Sequence, residues 1–460
     1  MDGFCFPSEW VFRVKAMLIK RIYQTKEYSI LLVLILLVSK VYGQQSDSLK
    51  EETLSIHVQA TTITQVKPAF HAKYTGQNSL IPGSETKLSY TSTFFLCGRL
   101  WSGASLTFNP ELAGGSGLSG SLGVGASTNG EAYRIDNPSP KLYLARLFFK
   151  QYFFLSQDTK YQPGDLNTLA GKVPESYISV ILGKISMTDF FDNNGYSHDP
   201  RTQFMSWALM SNGAWDFPAN TRGYTPSLVI EYVTPKNELR YGFSLVSLVA
   251  NGMTMNWNIA KASSQTLEYT HNYTIDGNKG AIRLLAFFTS ANMGNYDESL
   301  ALNPSAPNLL ATEKYGHTKY GFGINAEQAL TKDLGGFLRA SWNDGNNESW
   351  EFTEIDRSVS LGLSLSGIRW HRQNDNLGLA VVTSGLSAPH RNYLKAGGKG
   401  FELGDGNLNY AWEHLAELYY SLEISKSLFL SGACQLILNP GYNIDRGPVN
   451  VFSLKLHMKF

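Results

Sequence analysis

Cysteine is scarce in this chain of 460 residues, with only 3 copies, and one of them, Cys5, sits in an N-terminal leader. Cys97 and Cys434 lie far apart in strand-like runs, and there is no C-x-x-C. That excludes a close-spaced disulfide framework and any recognisable metal signature, and leaves either free thiols or one long-range bridge. Charge of one sign is lacking too. A formal net charge of +1 offers no basic surface for nucleic acid and no acidic block for a solvated tail. No G-x-S-x-G or H-E-x-x-H string occurs, and Gly321-Phe322-Gly323 falls inside a strand-like run rather than at a strand-to-helix turn, so it is no dinucleotide fingerprint. Helical periodicity is nearly absent. The apolar run Ile30 to Val38 has roughly half of the ~20 residues a spanning helix requires.

What is present is alternation. From Pro448 to the end, Phe452, Leu454, Leu456, Met458 and Phe460 fall at every second position, with Ser453, Lys455, His457 and Lys459 between them. This two-residue period makes a strand with one apolar and one polar face. Alone it fits a soluble sheet as well as a membrane barrel. About 16 such runs can be marked, near Ser55 to Val66, Thr86 to Leu100, Ala104 to Phe108, Leu142 to Phe154, Tyr177 to Ile185, Gly223 to Val233, Glu238 to Val249 and Gln265 to Thr274. The rest lie near Gly280 to Ser290, Lys319 to Leu330, Gly335 to Asn343, Ile355 to Ser366, Asn376 to Ser384, Trp412 to Ile424, Ser427 to Leu438 and the final stretch. The mean hydropathy of -0.18 is compatible with a membrane barrel, whose strands show lipid only every second residue.

Residues 1–43 read as a secretory signal. Lys20, Arg21 and Lys26 precede the apolar run, and Val41 and Gly43 supply small residues for cleavage. Residues 1 to 16 add nothing such a signal needs, so synthesis is expected to begin at Met17. Residues 44–460 are then one all-β unit, a transmembrane antiparallel barrel of about 16 strands with long extracellular loops and short periplasmic turns. Thr234 to Asn237, Ile275 to Asn278, Thr331 to Leu334 and Ser425 to Lys426 read as tight turns. The links near 67–85, 109–141, 186–222, 292–318 and 386–411 are long and irregular. The segment 156–176 breaks the rhythm, and is either a periplasmic insertion or a sign of a miscounted strand.

Several unusual strings give the chain a family likeness. G-K-I-S-M-T-D-F-F-D-N-N-G-Y-S-H-D-P-R-T-Q-F from Gly183 and N-P-G-Y-N-I-D-R-G-P-V-N-V-F from Asn439 are the longest. F-N-P-E from Phe108, Y-T-G-Q-N-S-L from Tyr74, G-I-R-W-H-R-Q-N-D from Gly367 and H-R-N-Y-L-K-A-G-G-K-G from His390 add to them. Together they resemble the carbohydrate-selective porins (OprB-type) of Gram-negative outer membranes, across essentially the whole mature chain. Gly195 and Ser197 depart from the pattern within the Asp-rich loop. The resemblance implies a 16-stranded barrel that passes small sugars by passive diffusion, without cofactor or covalent chemistry. The last strand likewise resembles the C-terminal signal by which barrel-assembly machinery recognises outer-membrane barrels. Its row of Phe452, Leu454, Leu456, Met458 and Phe460 would face outer-membrane lipid.

A channel of this kind selects by a narrow constriction of charged, polar and aromatic groups. Two loops are candidates to fold inward. Residues 186–222 carry Asp189, Asp192, Asn193, Asn194, His198, Asp199, Arg201, Trp207 and Trp215, with a short helix expected across Phe204 to Trp215; residues 109–141 carry Glu111, Glu131 and Arg134. Opposed carboxylates and guanidinium groups offer fork-like hydrogen bonds to paired hydroxyls. Each of these Asp residues can equally cap a turn, and the spacing lacks the calcium-loop pattern. On the wall, Arg146, Arg339, Arg369 and Arg372 are expected in the lumen, with Glu413 and Glu417 as facing acids, because lipid exposure of Arg or Lys at mid-depth costs about 2–4 kcal/mol. Trp342 and Trp370 are either sugar platforms or members of the interfacial girdle. Two other readings remain: a barrel enzyme of lipase or protease type, and a plugged structural or adhesive barrel.

Overall fold

The computed structural model describes residues 51–132 and 137–460, with side chains of the second span from residue 139 onward. The leader and Arg134 lie outside the described residues. Sixteen strands close into an antiparallel barrel, and two short ones form a separate hairpin. In chain order the barrel strands are β1 (Leu54–Lys67), β2 (Glu85–Trp101), β3 (Ala104–Gly115), β4 (Asn137–Phe154), β7 (Tyr177–Ile185), β8 (Thr225–Val233) and β9 (Asn237–Ser244). They continue with β10 (Ser263–Ile275), β11 (Asn278–Ala291), β12 (His317–Ala329), β13 (Leu334–Asn343), β14 (Arg357–Gly367) and β15 (Arg372–Gly385). The last are β16 (Glu413–Ser425), β17 (Leu428–Leu438) and β18 (Val449–Lys459). Strands β5 (Thr159–Gln162) and β6 (Gly171–Pro174) make the extra hairpin. Every expected strand has a counterpart, so the segment 156–176 reflects an insertion and not a miscount.

Ring closure follows from alternation. Gln59 to Val66 of β1 pair antiparallel with Lys459 to Phe452 of β18, so the first and last strands leave no free edge. Outside water, strands satisfy every backbone donor and acceptor only in such a closed ladder. On β18, Phe452 is 49% and Leu454 55% exposed on the outer face, while Ser453, Lys455 and His457 are buried inside. Leu361 and Leu363 on β14 and Leu418 on β16 face outward in the same way. Trp342 also faces out, with its ring 5.3 Å from Phe322. Trp370 sits at a periplasmic turn and donates to the Tyr420 hydroxyl at 3.0 Å. Both therefore belong to the aromatic belts and not to the sugar path.

The turns agree with their residues. Asp276 (φ 49°) and Gly277 (φ 79°) form the two-residue connection between β10 and β11, the left-handed pair that a type I′ hairpin requires. At the outer rim Gly115 (φ +92°) ends β3, where a Cβ would come within 2.1 Å of the Leu88 carbonyl oxygen. A side chain there would keep the chain from leaving the wall and turning inward. Strand β3 is longer than its sequence pattern suggested, so Asn109 and Glu111 stand on the wall and not in a loop.

The lumen is not uniformly wet. Residues 186–222 fold into it, including the short helix α1 (Trp207–Met210), and pack Met187, Phe191, Phe204, Leu209 and Trp215 against inward-facing Phe287, Phe337, Ala380, Leu415 and Tyr419. Phe204 lies edge-on to Tyr419, with ring centroids 4.9 Å apart. The segment 116–132 turns in beside it, and the two are joined by Trp207 N to Ser127 O (3.0 Å) and Gly130 N to Met205 O (2.8 Å). An inward apolar set on β11 to β16 thus replaces water with a packed core. Open space is left along the opposite wall.

Candidate functional site

A large cavity of about 860 Å³ runs along the inside of β3, β4, β7 and β8. It extends from the periplasmic hairpin to outer-loop residues Asn251, Glu351 and Phe352. Two arginines that line it are held in ion pairs. The Arg146 guanidinium, carried inward by β4, grips Asp189 with two bonds, Nε to Oδ2 at 2.7 Å and Nη2 to Oδ1 at 2.6 Å. It lies 5.1 Å from the Tyr224 ring centre, and its Nη1 is buried without a protein partner. Arg201, which lines the same cavity, donates from Nε to Glu131 (2.9 Å) and from Nη2 to Glu111 (3.4 Å). Thr91 and Thr93 hydroxyls hold those two carboxylates at 2.5 Å each, and the Tyr143 hydroxyl also donates to Glu111. Asp199 and Trp207 line the same space, and Trp207 stacks on Phe352 at 5.2 Å between ring centres.

The remaining named residues do other work. Asp192 is fully buried, and its carboxylate accepts from Asn212 N (2.6 Å), Asn212 Nδ2 (2.9 Å), Asn325 Nδ2 (2.6 Å) and Arg339 Nε (3.1 Å). Arg339 in turn donates to the carbonyls of Asp192 (3.1 Å), Ser197 (2.7 Å) and Leu209 (2.9 Å). These two residues staple the inward loop to β13. Asn194 bonds Asn325 and accepts from Tyr196 N and Ser197 N, the turn-capping alternative for this loop. Glu417 accepts from Met205 N (2.7 Å) and Ser206 N (3.1 Å), and Glu413 from Gly125 N and Gly441 N. Both acids anchor loops to the wall.

Arg369 and Arg372 are not in the lumen. Arg369, with 61% of its side chain exposed, pairs with Asp333; Arg372, at 44%, pairs with Asp375 at 2.5 Å. Arg369 lies within, and Arg372 two residues past, the one-turn helix Ile368–Trp370 that reverses the chain between β14 and β15, so water at the periplasmic rim was open to them as well as the lumen.

A sequence profile of the carbohydrate-selective porin, OprB family matches residues 96–460. The chain belongs to that family. The porin's fold is similar to the high-pH structure of Pseudomonas putida OprB, at 17% identity over 89% of this chain and 94% of that one, with a TM-score of 0.68. The low-pH structure of the same protein aligns at 13% identity over 89% and 93%, with a TM-score of 0.49. The outer membrane channel DcaP of Acinetobacter baumannii aligns at 10% identity over 91% and 99%, with a TM-score of 0.48. No curated protein matches. This porin is an outer-membrane channel for passive diffusion that favours small carbohydrates, and it is not an enzyme.

Sequence reasoning missed Tyr143, Tyr224, Arg222, Lys150, Glu231 and Arg240. Arg222 lies 3.9 Å over the Tyr143 ring, and Glu231 accepts from Lys150 (3.0 Å), Arg240 (2.9 Å) and Ser179 (2.5 Å). The rule that sends a strand charge to the lumen, applied to every strand, would have found Lys150, Glu231 and Arg240. Tyr143 and Tyr224 carried no comparable signal, since tyrosine is at home on both faces of a barrel.

Proposed function

We propose that sugars cross through the slot between the Arg146–Asp189 and Arg201–Glu131–Glu111 groups, with the two inward segments, 186–222 and 116–132, setting its width. The observation that carries this reading is the pairing of two guanidinium forks with carboxylates beside the Tyr224 face, all on the open side of an otherwise packed lumen. Arg146 Nη1 is a buried donor without a protein partner, on a side chain that lines the cavity. Charged donors and acceptors in a low-dielectric slot bind hydroxyl pairs well. Holding both arginines in ion pairs keeps each contact weak enough for release, as conduction requires. Asp199 and Trp207 line the route; Asp192, Asn194, Arg339 and Glu417 act on it only by holding the loops. The apolar rows of the outer face, Phe452, Leu454, Leu456 and Met458 among them, contact lipid, and the last strand ending at Phe460 is the segment that barrel-assembly machinery reads.

Swelling of liposomes carrying the refolded porin tests this. Glucose is expected to enter faster than a charged solute of its size, and Arg146→Ala to reduce that advantage. Equal entry of sugars through the wild type and this variant refutes the slot assignment.

A further inference from the structure

The insertion between β4 and β7 does more than close a turn. Leu155 N bonds Ser176 O at 3.0 Å, so the strand ends are already joined and the intervening residues are free to reach elsewhere. They cross the periplasmic mouth to the foot of β1. There Glu52 N bonds Ala170 O at 2.9 Å, and Ala170 N bonds the Glu52 carboxylate at 2.8 Å. From this tied-down tip Asn167 points up into the barrel and accepts from Asn109 Nδ2 at 2.7 Å. Asn109 is fully buried and sits opposite Arg146 in the β3–β4 register. It lies five residues above the foot of β3, about 17 Å of strand at ~3.4 Å per residue. The hairpin therefore underlies the slot.

Between slot and hairpin the wall repeats the slot's chemistry. Lys150, Tyr152, Tyr177 and Glu231 line the same cavity. Tyr152 and Tyr177 stand edge-to-face with centroids 4.9 Å apart. Lys150 sits 4.7 Å over the Tyr152 ring while it bonds Glu231 at 3.0 Å. The floor is the hairpin tip, Asp165 to Leu169, which also lines the cavity. Slot and chamber together belong to the one cavity of about 860 Å³, within the roughly 300–1,000 Å³ range of small-ligand sites.

We infer that this lower chamber is a second saccharide subsite, roofed by the Arg146–Asp189 pair and floored by the periplasmic hairpin, which takes the second ring of a disaccharide while the first occupies the slot. The inference rests on the sugar-path reading above. Two linked rings touching two subsites gain residence time by effective concentration, without tighter binding at either. A one-ring sugar meets the subsites only in turn.

Single-channel recordings with glucose, maltose and sorbitol test the idea. In the wild type, maltose is expected to interrupt the current for longer than glucose does. In Tyr177→Ala the ratio of maltose to glucose dwell times should fall about three- to tenfold, the loss of one aromatic face. Excision of 157–175, which leaves Ser156 and Ser176 as a short turn, should lower the same ratio. The milder Asn167→Ala should do so in part, and it guards against a misfolded deletion. An unchanged ratio in all three variants, or an equal change for maltose, glucose and sorbitol, overturns the second subsite and leaves the hairpin a simple restriction of width. If wild-type dwell times do not distinguish glucose from sorbitol, the sugar-path reading fails first and the chamber falls with it.

Discussion

Replacing Arg201 with glutamine removes one positive charge from a slot where Glu111 and Glu131 share that guanidinium, at 3.4 and 2.9 Å. The carboxylates keep their Thr91 and Thr93 bonds, so they remain in place with their charge exposed to the path. A cation passing about 4 Å away gains about 1 kcal/mol at the dielectric of water and about 4 at an effective value near 20. Water in the open path screens the carboxylates and keeps the gain near the lower figure. At about 1.4 kcal/mol per tenfold, the cation-to-anion permeability ratio should rise about fivefold. The assay is the reversal potential of the refolded porin in a planar bilayer under a potassium chloride gradient. Arg201→Lys keeps the charge and loses the two-pronged geometry, so it should preserve the ratio while weakening sugar interaction. A shift of less than twofold in Arg201→Gln, or a shift toward anions, would show that the ion path does not pass these residues.

Three further outcomes are expected. Arg339→Met leaves Asp192 buried without its cation, at a cost of about 3–5 kcal/mol; limited proteolysis should cut within 186–222, and single-channel conductance should rise. Leu454→Arg places a charge on the lipid face and should destabilise insertion by about 2–4 kcal/mol at mid-depth, whereas Lys455→Arg, which keeps a charge on the lumen face of the same strand, should not, as folding yield into vesicles would report. The third concerns pH. In the outer loops His390, on the helix α2 (Ala388–Lys395), is buried, stacked 4.4 Å from the Tyr296 ring, and bonded to Asp356 at 2.9 Å. Burial alone would lower its pKa, but the Asp356 charge and hydrogen bond and the nearby Glu354 outweigh that and raise it to about 8. A pKa raised by folding contributes stability that is complete below the unfolded value near 6.5 and is lost as pH climbs through 8. Hydrogen exchange in 344–356 and 386–411 should therefore quicken between pH 6.5 and 9, by on the order of 2 kcal/mol of protection, and His390→Gln should abolish the difference.

Much of the barrel was legible because its physics is local. Alternation names the strands, and Asp276-Gly277 names a turn through its own backbone preference. Arg146 could be placed in the lumen because lipid would not tolerate it. The same rule did not hold for Arg369 and Arg372, which lie so near a chain reversal that water at the rim was open to them. Within the 186–222 loop, residue type could not separate Asp189, which meets the channel, from Asp192, which is consumed by Asn212, Asn325 and Arg339. Both are aspartates in one Asx-rich run, and only the register of the fold on β13 tells them apart.

By itself the sequence determined about sixteen two-faced strands, because a period of two and the cost of charge in lipid leave a strand little choice of face, and its likeness to the carbohydrate-selective porins implied that they close into a ring. Only the tertiary structure decided what fills the ring. The inward apolar residues of β11 to β16 attract a folded loop, since burying them against Phe204, Leu209 and Trp215 removes them from water. That packing pushes the open path to the opposite wall. Contacts between residues more than a hundred positions apart, such as Arg339 with Asp192, are set by the way the whole cylinder closes, and no local pattern encodes them.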